Sequence, residues 1–268
     1  MTGDMPLTRP DYRNTPFDLT DRTALITGAS GGLGRRFAQT LASAGADLVL
    51  TARDAANPRL LALEEELAAS VSVSLVAMDV GCPGSVSRVF AQLTERGAVV
   101  DILVNNAGIA QPSSALKTDQ TIWSGVLETN LSGAWYVARE FAAHLIDAER
   151  NGALVNITSI LGQRVLSGVM SYAVTKAGLE QMTSALALEW ARYGIRVNAL
   201  APGYIVTDIN RDFLASDQAK GLIGNIPQRK AGEPADLDGA ILLLAAAGNS
   251  FMTGSTIVVD GGHLNSSL

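Results

Sequence analysis

The sequence has very few of the side chains that form disulfides or bind transition metals. Its 268 residues include one cysteine, Cys82, and two histidines, His144 and His263. A single cysteine excludes an intrachain disulfide, which is compatible with a reducing compartment. Zinc in proteins is bound mainly by cysteine and histidine, so this composition also disfavours a metal site. We therefore predict no metal centre.

Long apolar runs and an excess of positive charge are missing as well. The run Ile241–Ala247 is far shorter than the ~20 residues that cross a bilayer. The first 20 residues are polar and broken by prolines, and they lack the apolar centre of a secretory signal. The net charge of −6 disfavours binding to nucleic acid through bulk charge. We expect a cytoplasmic protein that binds neither membranes nor nucleic acid.

The chain does carry enough apolar material for a core. Hydrophobic residues make up 47% and charged residues 17%, which excludes disorder over most of the length. No internal repeat or linker is visible, so we predict an N-terminal arm at residues 1–20 and one domain at 21–268. The arm is interpreted as a surface-draped or disordered tail, or alternatively as a segment that grips a neighbouring subunit.

Short apolar runs alternate with helical patterns along the chain. Strands are predicted at residues 23–27, 47–52, 71–78, 101–105, 153–159, 195–200 and 256–259, and helices at 33–44, 58–69, 83–96, about 125–149, 171–193 and 233–247. This alternation is typical of a doubly wound α/β domain, whose parallel sheet is covered by helices on both faces. The less regular segment 204–230 follows a strand and is predicted to be a substrate lid.

A glycine-rich turn follows the first predicted strand. Residues 27–34 read TGASGGLG, and such glycines let the backbone approach a pyrophosphate at a helix N-terminus. No Gly-Lys-Ser/Thr is present, which excludes a P-loop. The turn also matches Gly-x-Ser-x-Gly of serine hydrolases. That alternative needs a catalytic histidine, and only His144, mid-helix, and His263, near the end, exist.

Four polar residues follow at ordered positions. Asn130 lies in the long helical stretch, Ser159 ends the fifth predicted strand, and Tyr172 and Lys176 are four residues apart. On a helix the last two share one face. Because the carboxyl ends of parallel strands meet at one edge of the sheet, these side chains and the glycine turn are expected to converge on one crevice.

Taken together, the motifs resemble those of the short-chain dehydrogenase/reductase superfamily, in its subgroup of roughly 250 residues. The resemblance runs from about Thr20 to Gly262, and it is closest to 3-oxoacyl-thioester reductases and polyol or sugar dehydrogenases. It implies a seven-stranded Rossmann fold of strand order 3-2-1-4-5-6-7, a homotetramer, and NAD(P)-dependent interconversion of a secondary alcohol and a ketone. The motifs are TGxxxGxG at 27–34, NNAG at 105–108, Asn130, Ser159, YxxxK at 172–176, and Pro202-Gly203 with Thr207.

The resemblance also implies catalytic roles. Tyr172 would be the acid/base, Ser159 would bind the carbonyl or alcohol oxygen, and Asn130 would hold a water in a proton relay with Lys176. A tyrosine titrates near ~10 in water, so the lysine ammonium and the positive nicotinamide ring would have to lower its pKa. The simpler alternatives are a half-buried tyrosine, a solvated lysine and an asparagine at a helix kink.

Further positions follow from the resemblance. Asp79 is expected at the adenine amino group, with a helix N-terminal acid as its alternative. The implied cofactor-binding residues are Gly28, Ser30, Gly32, Leu33, Gly34, Arg53, Asp79, Val80, Asn106, Gly108, Tyr172, Lys176, Pro202, Gly203, Ile205 and Thr207. The implied substrate-facing residues are Ser159, Gln163, Val165, Tyr172 and Tyr204.

The end of the second strand indicates the cofactor. Ala52 stands where NAD-preferring relatives carry an acid, and Arg53 follows, with a guanidinium that suits a 2′-phosphate. Against this, Gly31 occupies the place of a second basic residue in NADP-type relatives, and Asp54 could neutralise Arg53. We favour NADP(H), with NAD(H) as the alternative. A non-catalytic nucleotide-binding regulator of the same fold is the alternative function.

Overall fold

The computed structural model describes residues 12, 15–208 and 210–266. Seven strands form one sheet in the order β3-β2-β1-β4-β5-β6-β7, and every neighbouring pair is parallel. The doubly wound fold and its strand order are therefore confirmed. The strands are β1 (Thr23–Thr27), β2 (Asp47–Ala52), β3 (Val73–Ala77), β4 (Ile102–Asn105), β5 (Gly152–Ile157), β6 (Ile195–Pro202) and β7 (Thr256–Val259).

Helices connect the strands and cover both faces of the sheet. They are α1 (Gly32–Ser43), α2 (Pro58–Leu67), α3 (Pro83–Glu95), α4 (Gln120–Leu127), α5 (Gly133–Asp147), α6 (Met170–Trp190), α7 (Arg211–Leu214), α8 (Lys220–Gly224) and α9 (Asp238–Ala245). Alternate strand residues enter different cores, as the two-residue period of a strand requires. Ile26 and Leu50 pack under α1, α2 and α9, whereas Leu25 and Val49 pack under α3, α5 and α6.

Several predicted elements have different bounds in the structure. The fifth strand ends at Ile157, so Ser159 lies two residues beyond it, and the helix predicted at 233–247 is α-helical only at Asp238–Ala245. The third strand begins at Val73 because the preceding amide, of Ser72, donates to Asp47 Oδ1 instead of joining the ladder. The long helical stretch begins at Gln120 rather than near residue 125, because Asp119 accepts a hydrogen bond from Ile122 N and caps α4. A π-helical turn, Glu128–Ser132, joins α4 to α5.

Buried polar contacts hold the carboxyl edge of the sheet together. Thr27 Oγ1 accepts hydrogen bonds from the amides of Asn106 and Ala107, both at 2.9 Å. Asn105 Nδ2 donates to Asn156 Oδ1 at 3.1 Å, and Asn156 Nδ2 donates to Thr183 Oγ1 of α6 at 2.9 Å. Because buried amides need partners, these contacts fix the ends of β1, β4 and β5 relative to α6.

The described end of the N-terminal arm belongs to the domain. Leu19 is 1% exposed within the core under α1, and its amide donates to Ala44 O at 2.8 Å. Most of the predicted arm, residues 1–11, 13 and 14, lies outside the described residues. None of the helices in the described part of the chain combines the length and apolar character needed to cross a bilayer.

Candidate active site

The glycine turn forms a cradle at the N-terminus of α1. Gly28 has a φ of +66°, and a Cβ at Gly34 would collide with the carbonyl oxygen of Gly28. Asn106 Nδ2 donates to the carbonyl oxygens of Thr27 and Gly28 at 2.9 and 3.2 Å and holds this shape. No side chain caps α1 at Gly31, so its first N–H groups are available to an anion. This arrangement fits the pyrophosphate of a dinucleotide.

The position after β2 leaves Arg53 available to a phosphate. Its side chain is exposed and has no hydrogen-bond or ion-pair partner within the described segments. The neighbouring Asp54 forms no ion pair with Arg53 in the described structure, and its Oδ1 accepts from the amide of Ala56 at 2.9 Å. The carboxylate of Asp54 nevertheless remains next to Arg53 in the chain.

A second arginine, which the sequence analysis missed, lies beside the glycine turn. Arg59 is in the first turn of α2, where Asn57 caps its amide. Its Nη1 is 3.5 Å from the Cβ position of Gly31, which is an ordinary van der Waals contact with the turn. The Nη1 atom is also 3.8 Å from Asp208 Oδ2, between two exposed side chains. In the sequence, the features that could have indicated this arginine were the small residue Gly31 and the position of Arg59 at the start of the predicted helix 58–69.

Other cofactor residues predicted from the sequence lie along the same edge. Asp79 Oδ1 accepts from the amide of Gly81 at 3.0 Å, and Val80 is buried against Gly133. At the end of β6, a Cβ at Gly203 would lie 2.7 Å from the backbone of Asp260. Thr207 bonds through its amide and its hydroxyl to Asn210 Oδ1, at 2.7 and 3.1 Å.

The structure brings Ser159, Tyr172 and Lys176 together. Ser159 and Lys176 are 9% and 4% exposed. Lys176 Nζ is 5.5 Å from the centroid of the Tyr172 ring and donates to Ile157 O at 2.7 Å. The one-turn spacing on α6 and the adjacent end of β5 therefore place an ammonium, a phenol and a hydroxyl in one crevice, as the sequence predicts.

Burial changes the pKa of both ionisable side chains of this group, Lys176 and Tyr172. It lowers the pKa of Lys176 to about 8. Burial also raises the pKa of Tyr172, although a hydrogen bond with Ser159 opposes this. The sequence argument expects a lowered tyrosine pKa. The difference arises because desolvation destabilises a buried phenolate, so the lowered value requires additional positive charge at the site.

Asn130 lies in the π-helical turn and is 1% exposed. Its side chain is fully engaged, since Oδ1 accepts from Ile109 N and Nδ2 donates to Ile109 O, both at 2.8 Å. A Cβ at Gly108 would lie 3.3 Å from Asn130 Oδ1 and 3.7 Å from Lys176 Nζ. The glycine therefore keeps open a narrow space between the asparagine and the lysine, and π turns of this kind are frequent at functional sites.

A cavity of about 330 Å³ begins at Ile160, the residue after Ser159. Tyr204 and Val165, both predicted to face substrate, line it. Gln163 does not line it, because its amide donates to Glu180 Oε2 on α6 at 3.1 Å. The cavity-lining residues that the sequence analysis missed are Ile160, Leu161, Arg164, Leu166, Leu222, Asn225 and His263.

The remaining histidine has a structural environment. His144 Nε2 accepts from Val100 N at 3.2 Å, its Nδ1 is 3.2 Å from Thr94 Oγ1, and burial lowers its pKa. Within the described parts of the chain, no group of histidine, cysteine and acidic residues could hold a metal ion.

These features define a class of protein. A pyrophosphate cradle after β1 and a buried serine–tyrosine–lysine group at the same sheet edge are the parts of a nicotinamide-dependent oxidoreductase. Residues 28–263 match the sequence family described as enoyl-(acyl carrier protein) reductase. The chain belongs to the short-chain dehydrogenase/reductase superfamily.

Individual relatives cover nearly the whole chain. A galactitol 2-dehydrogenase (L-tagatose-forming) of Cereibacter sphaeroides is 38% identical over 256 residues, 94% of this chain and 98% of the relative. A 3-oxoacyl-(acyl-carrier-protein) reductase of Escherichia coli is 34% identical, over 90% of this chain and 96% of the relative. The crystal structure of a gluconate 5-dehydrogenase from Burkholderia cenocepacia, in complex with NADP and tartrate, has a TM-score of 0.87 and 32% identity, over 94% and 98% of the two chains.

The chain is therefore an NAD(P)-dependent oxidoreductase that acts on CH–OH and C=O groups of small molecules. This confirms the function predicted from the motifs. The two alternatives, a non-catalytic regulator and a serine hydrolase, are not favoured by these relatives.

Proposed function

We propose that Tyr172 is the acid/base of hydride transfer between a secondary alcohol and a ketone. The observation that carries this is the burial of Tyr172 against Ser159, with Lys176 Nζ 5.5 Å from its ring. The nicotinamide cofactor supplies or accepts the hydride. In ketone reduction the Tyr172 hydroxyl donates a proton to the carbonyl oxygen, and in alcohol oxidation the phenolate takes it back.

The neighbouring residues make this proton transfer possible. Ser159 Oγ binds the reacting oxygen and orients it toward the tyrosine. The Lys176 ammonium stabilises the phenolate and holds the ribose hydroxyls of the cofactor, because a positive charge beside a phenolate lowers its pKa. Because the Asn130 side chain is bonded to Ile109, its backbone is the part proposed to hold a water that returns protons to Lys176 from solvent, beside the space that Gly108 leaves open.

The cofactor proposed is NADP(H). Arg53 has no ion-pair partner among the described residues, and Arg59, which is paired with Asp208 at the surface, lies beside Gly31 of the glycine turn. Two guanidinium groups and no carboxylate at Ala52 favour a 2′-phosphate over a free 2′-hydroxyl. The other residues proposed to hold the cofactor are those of the glycine turn, Asp79, Val80, Asn106, Gly108 and the segment Pro202, Gly203, Ile205 and Thr207.

The catalytic proposal is tested on Tyr172→Phe. We expect this variant to fold and bind the cofactor but to lose at least ~100-fold in kcat, the lower range for a general acid. Turnover of a panel of ketones and secondary alcohols, followed by nicotinamide absorbance with both cofactors, measures the loss. Tyr193→Phe, at an exposed tyrosine on the turn after α6, is the matched control. Near-normal turnover of Tyr172→Phe would exclude this role.

A cytoplasmic location and a homotetramer are also proposed. Both rest on the composition and the family resemblance, and the assembly is argued further below from exposed apolar side chains.

A further inference from the structure

The cavity beside Ser159 contains polar side chains that the proposed proton transfer does not use. Apolar groups such as Ile160 and Leu222 form much of its wall, while Arg164 and His263 add two nitrogen-bearing side chains. Small-molecule sites span about 300–1,000 Å³, and this cavity, at about 330 Å³, is at the lower end. Its size suits a short substrate better than a long acyl chain.

Arg164 carries a positive charge that no described residue neutralises. The side chain is half-buried, and Nη1 donates to His263 O at 2.6 Å and to Ser266 Oγ at 2.8 Å. Both of these acceptors are neutral. Within the described ranges no carboxylate pairs with Arg164, and neither Nη2 nor Nε has a hydrogen-bond partner. One edge of the guanidinium fork is thus left for a ligand.

His263 adds a second unsatisfied group. It is 9% exposed, and its Nδ1 is buried without a hydrogen-bond partner in the described structure. The ring packs on Tyr204, with 5.6 Å between centroids. Burial lowers the pKa of His263, and the Arg164 cation lowers it further, while Asp260 opposes both. A buried polar atom without a partner is costly, so the arrangement points to a ligand that bonds there.

The acidic side chains near the cavity do not pair with Arg164. Asp260 accepts from the amides of Gly262 and Leu264, both at 2.7 Å, and so shapes the turn that brings His263 against Tyr204. Glu180 Oε2 accepts from Gln163 at 3.1 Å, while its Oε1 is buried without a hydrogen-bond partner in the described structure. Neither carboxylate forms an ion pair with Arg164, although the whole chain is acidic.

We infer that Arg164 and His263 form an anion subsite that binds a carboxylate of the substrate. The substrates are then short hydroxy acids and their oxo acids, of the size of aldonic acids, rather than neutral polyols or acyl thioesters. This inference rests on the proposed function, because it takes the same cavity to be the substrate site. A carboxylate is preferred to a phosphate ester because a single guanidinium edge matches one carboxylate bidentately and supplies one positive charge.

The inference is tested with substrate pairs that differ only at C1. D-gluconate is compared with D-glucitol, and D-galactonate with galactitol, at saturating NADP⁺. The unaltered protein is expected to oxidise the acid of at least one pair with a kcat/KM at least ~10-fold above that of its neutral partner. Equal efficiencies for both members of both pairs would overturn the subsite.

Variants of Arg164 and His263 test whether these two side chains cause the preference for the acid. Arg164→Gln is expected to lower kcat/KM for the acid by about 10- to 100-fold and to change that for the neutral partner less than ~3-fold. His263→Phe keeps the ring on Tyr204 and should raise KM for the acid about 5-fold, which is a larger change than its effect on kcat. Arg192→Gln, at an exposed arginine bonded to Tyr193, is the matched control. An unchanged acid preference in Arg164→Gln would contradict the inference.

Calorimetric titration of the same four compounds into the NADP⁺-loaded protein separates the two proposals. Binding of an acid that depends on Arg164, without oxidation of any of the four, would retain the subsite and remove the proposed function. Oxidation of the polyols with no dependence on Arg164 would retain the function and remove the subsite. If neither acid binds, the subsite is also removed.

Discussion

At the scale of single residues, Lys176 places an ammonium in a site that is almost closed to water. Its only hydrogen-bond acceptor in the described structure is Ile157 O, and burial lowers its pKa from 10.5 to about 8. At about 1.4 kcal/mol per factor of ten, keeping this lysine charged at neutral pH costs on the order of 3 kcal/mol of folding stability. The site therefore holds a charge that the fold alone does not favour, which is common where catalysis needs it.

This cost predicts that Lys176→Met is more stable than the unaltered protein at pH 7. After the lost hydrogen bond to Ile157 is subtracted, the expected gain is about 1–2 kcal/mol. The lowered pKa means that the folded state releases its proton first, so the unaltered protein gains stability as pH rises from about 8 to 10.5. The advantage of the variant should shrink across that range and reverse above it, where only the lost hydrogen bond to Ile157 remains and the variant should be about 1–2 kcal/mol less stable.

Urea unfolding at pH 7 and at pH 10.5 measures both effects. Lys117→Met, at an exposed lysine, is the matched control and should change stability by less than ~0.5 kcal/mol. A Lys176→Met variant that is less stable at pH 7 would show that the buried charge is compensated in the folded state.

The cofactor preference is also decided by single side chains. Arg53→Ala and Arg59→Ala should each lower kcat/KM with NADP(H) about 10-fold or more and leave that with NAD(H) nearly unchanged, because only the 2′-phosphate needs the guanidinium groups. Arg88→Ala, at an exposed arginine of α3, is the control. If neither substitution changes the ratio of the two efficiencies, both arginines are surface charges and the preference is set elsewhere.

At the scale of elements, the segment 204–230 differs from the rest of the fold. Its described residues form the short helices α7 and α8 with a 3₁₀ turn, Asp217–Ala219, between them, and few of their side chains are buried, among them Ile205, Ala219 and Ile226. Its contact with α2, between Asp208 and Arg59, is an exposed ion pair of the kind that contributes about 0–1 kcal/mol. Such a segment opens more easily than the sheet.

We predict that residues 204–230 exchange amide hydrogens faster without ligands than with cofactor and substrate together. Binding should protect the segment because it packs over the crevice beyond β6. Hydrogen exchange followed by mass spectrometry checks this, with β1 and α3 as internal controls whose protection should not change. Equal protection of the segment in both states would contradict the proposed lid.

At the scale of the whole molecule, large apolar side chains are exposed at several places. On α5 and α6, Trp135 stacks on Trp190 and remains 37% exposed, and Leu188 is 83% exposed. Toward the C-terminal end of the chain, Phe251 is fully exposed and Val258 of β7 is 37% exposed. We take these two sets of residues as two faces that would be covered in an assembly with two-fold axes.

We therefore predict a tetramer in solution, measured by light scattering at micromolar concentration. Phe251→Glu should reduce the mass to that of a dimer, because it places a charge in one of the two interfaces. Leu61→Glu, at a 45% exposed leucine of α2 outside both faces, should leave the tetramer intact. A monomeric mass for the unaltered protein would refute the assembly.

Local patterns in the sequence were sufficient for the architecture, and they also indicated the residues that we propose to be catalytic. Strand and helix periods, the glycine turn after β1 and the Tyr172–Lys176 spacing are properties of neighbouring residues, and the parallel sheet then brings the carboxyl ends of β1, β4 and β5 together. The exact ends of strands and helices do not follow from these local patterns. Side chains such as Asp47 and Asp119, which bond to backbone amides, decided where β3 and α4 begin.

Other features depended on contacts that no local pattern contains. Arg164 meets the backbone of His263 across 99 residues of chain, and Arg59 reaches Gly31 from another helix. Sequence spacing cannot predict such pairs, because folding of the intervening elements determines which loops meet. The raised pKa of Tyr172 likewise follows from burial, and burial is a property of the packed chain. The sequence by itself determined the fold and the type of chemistry, whereas tertiary packing decided which distant side chains, such as Arg164 and His263, lie together.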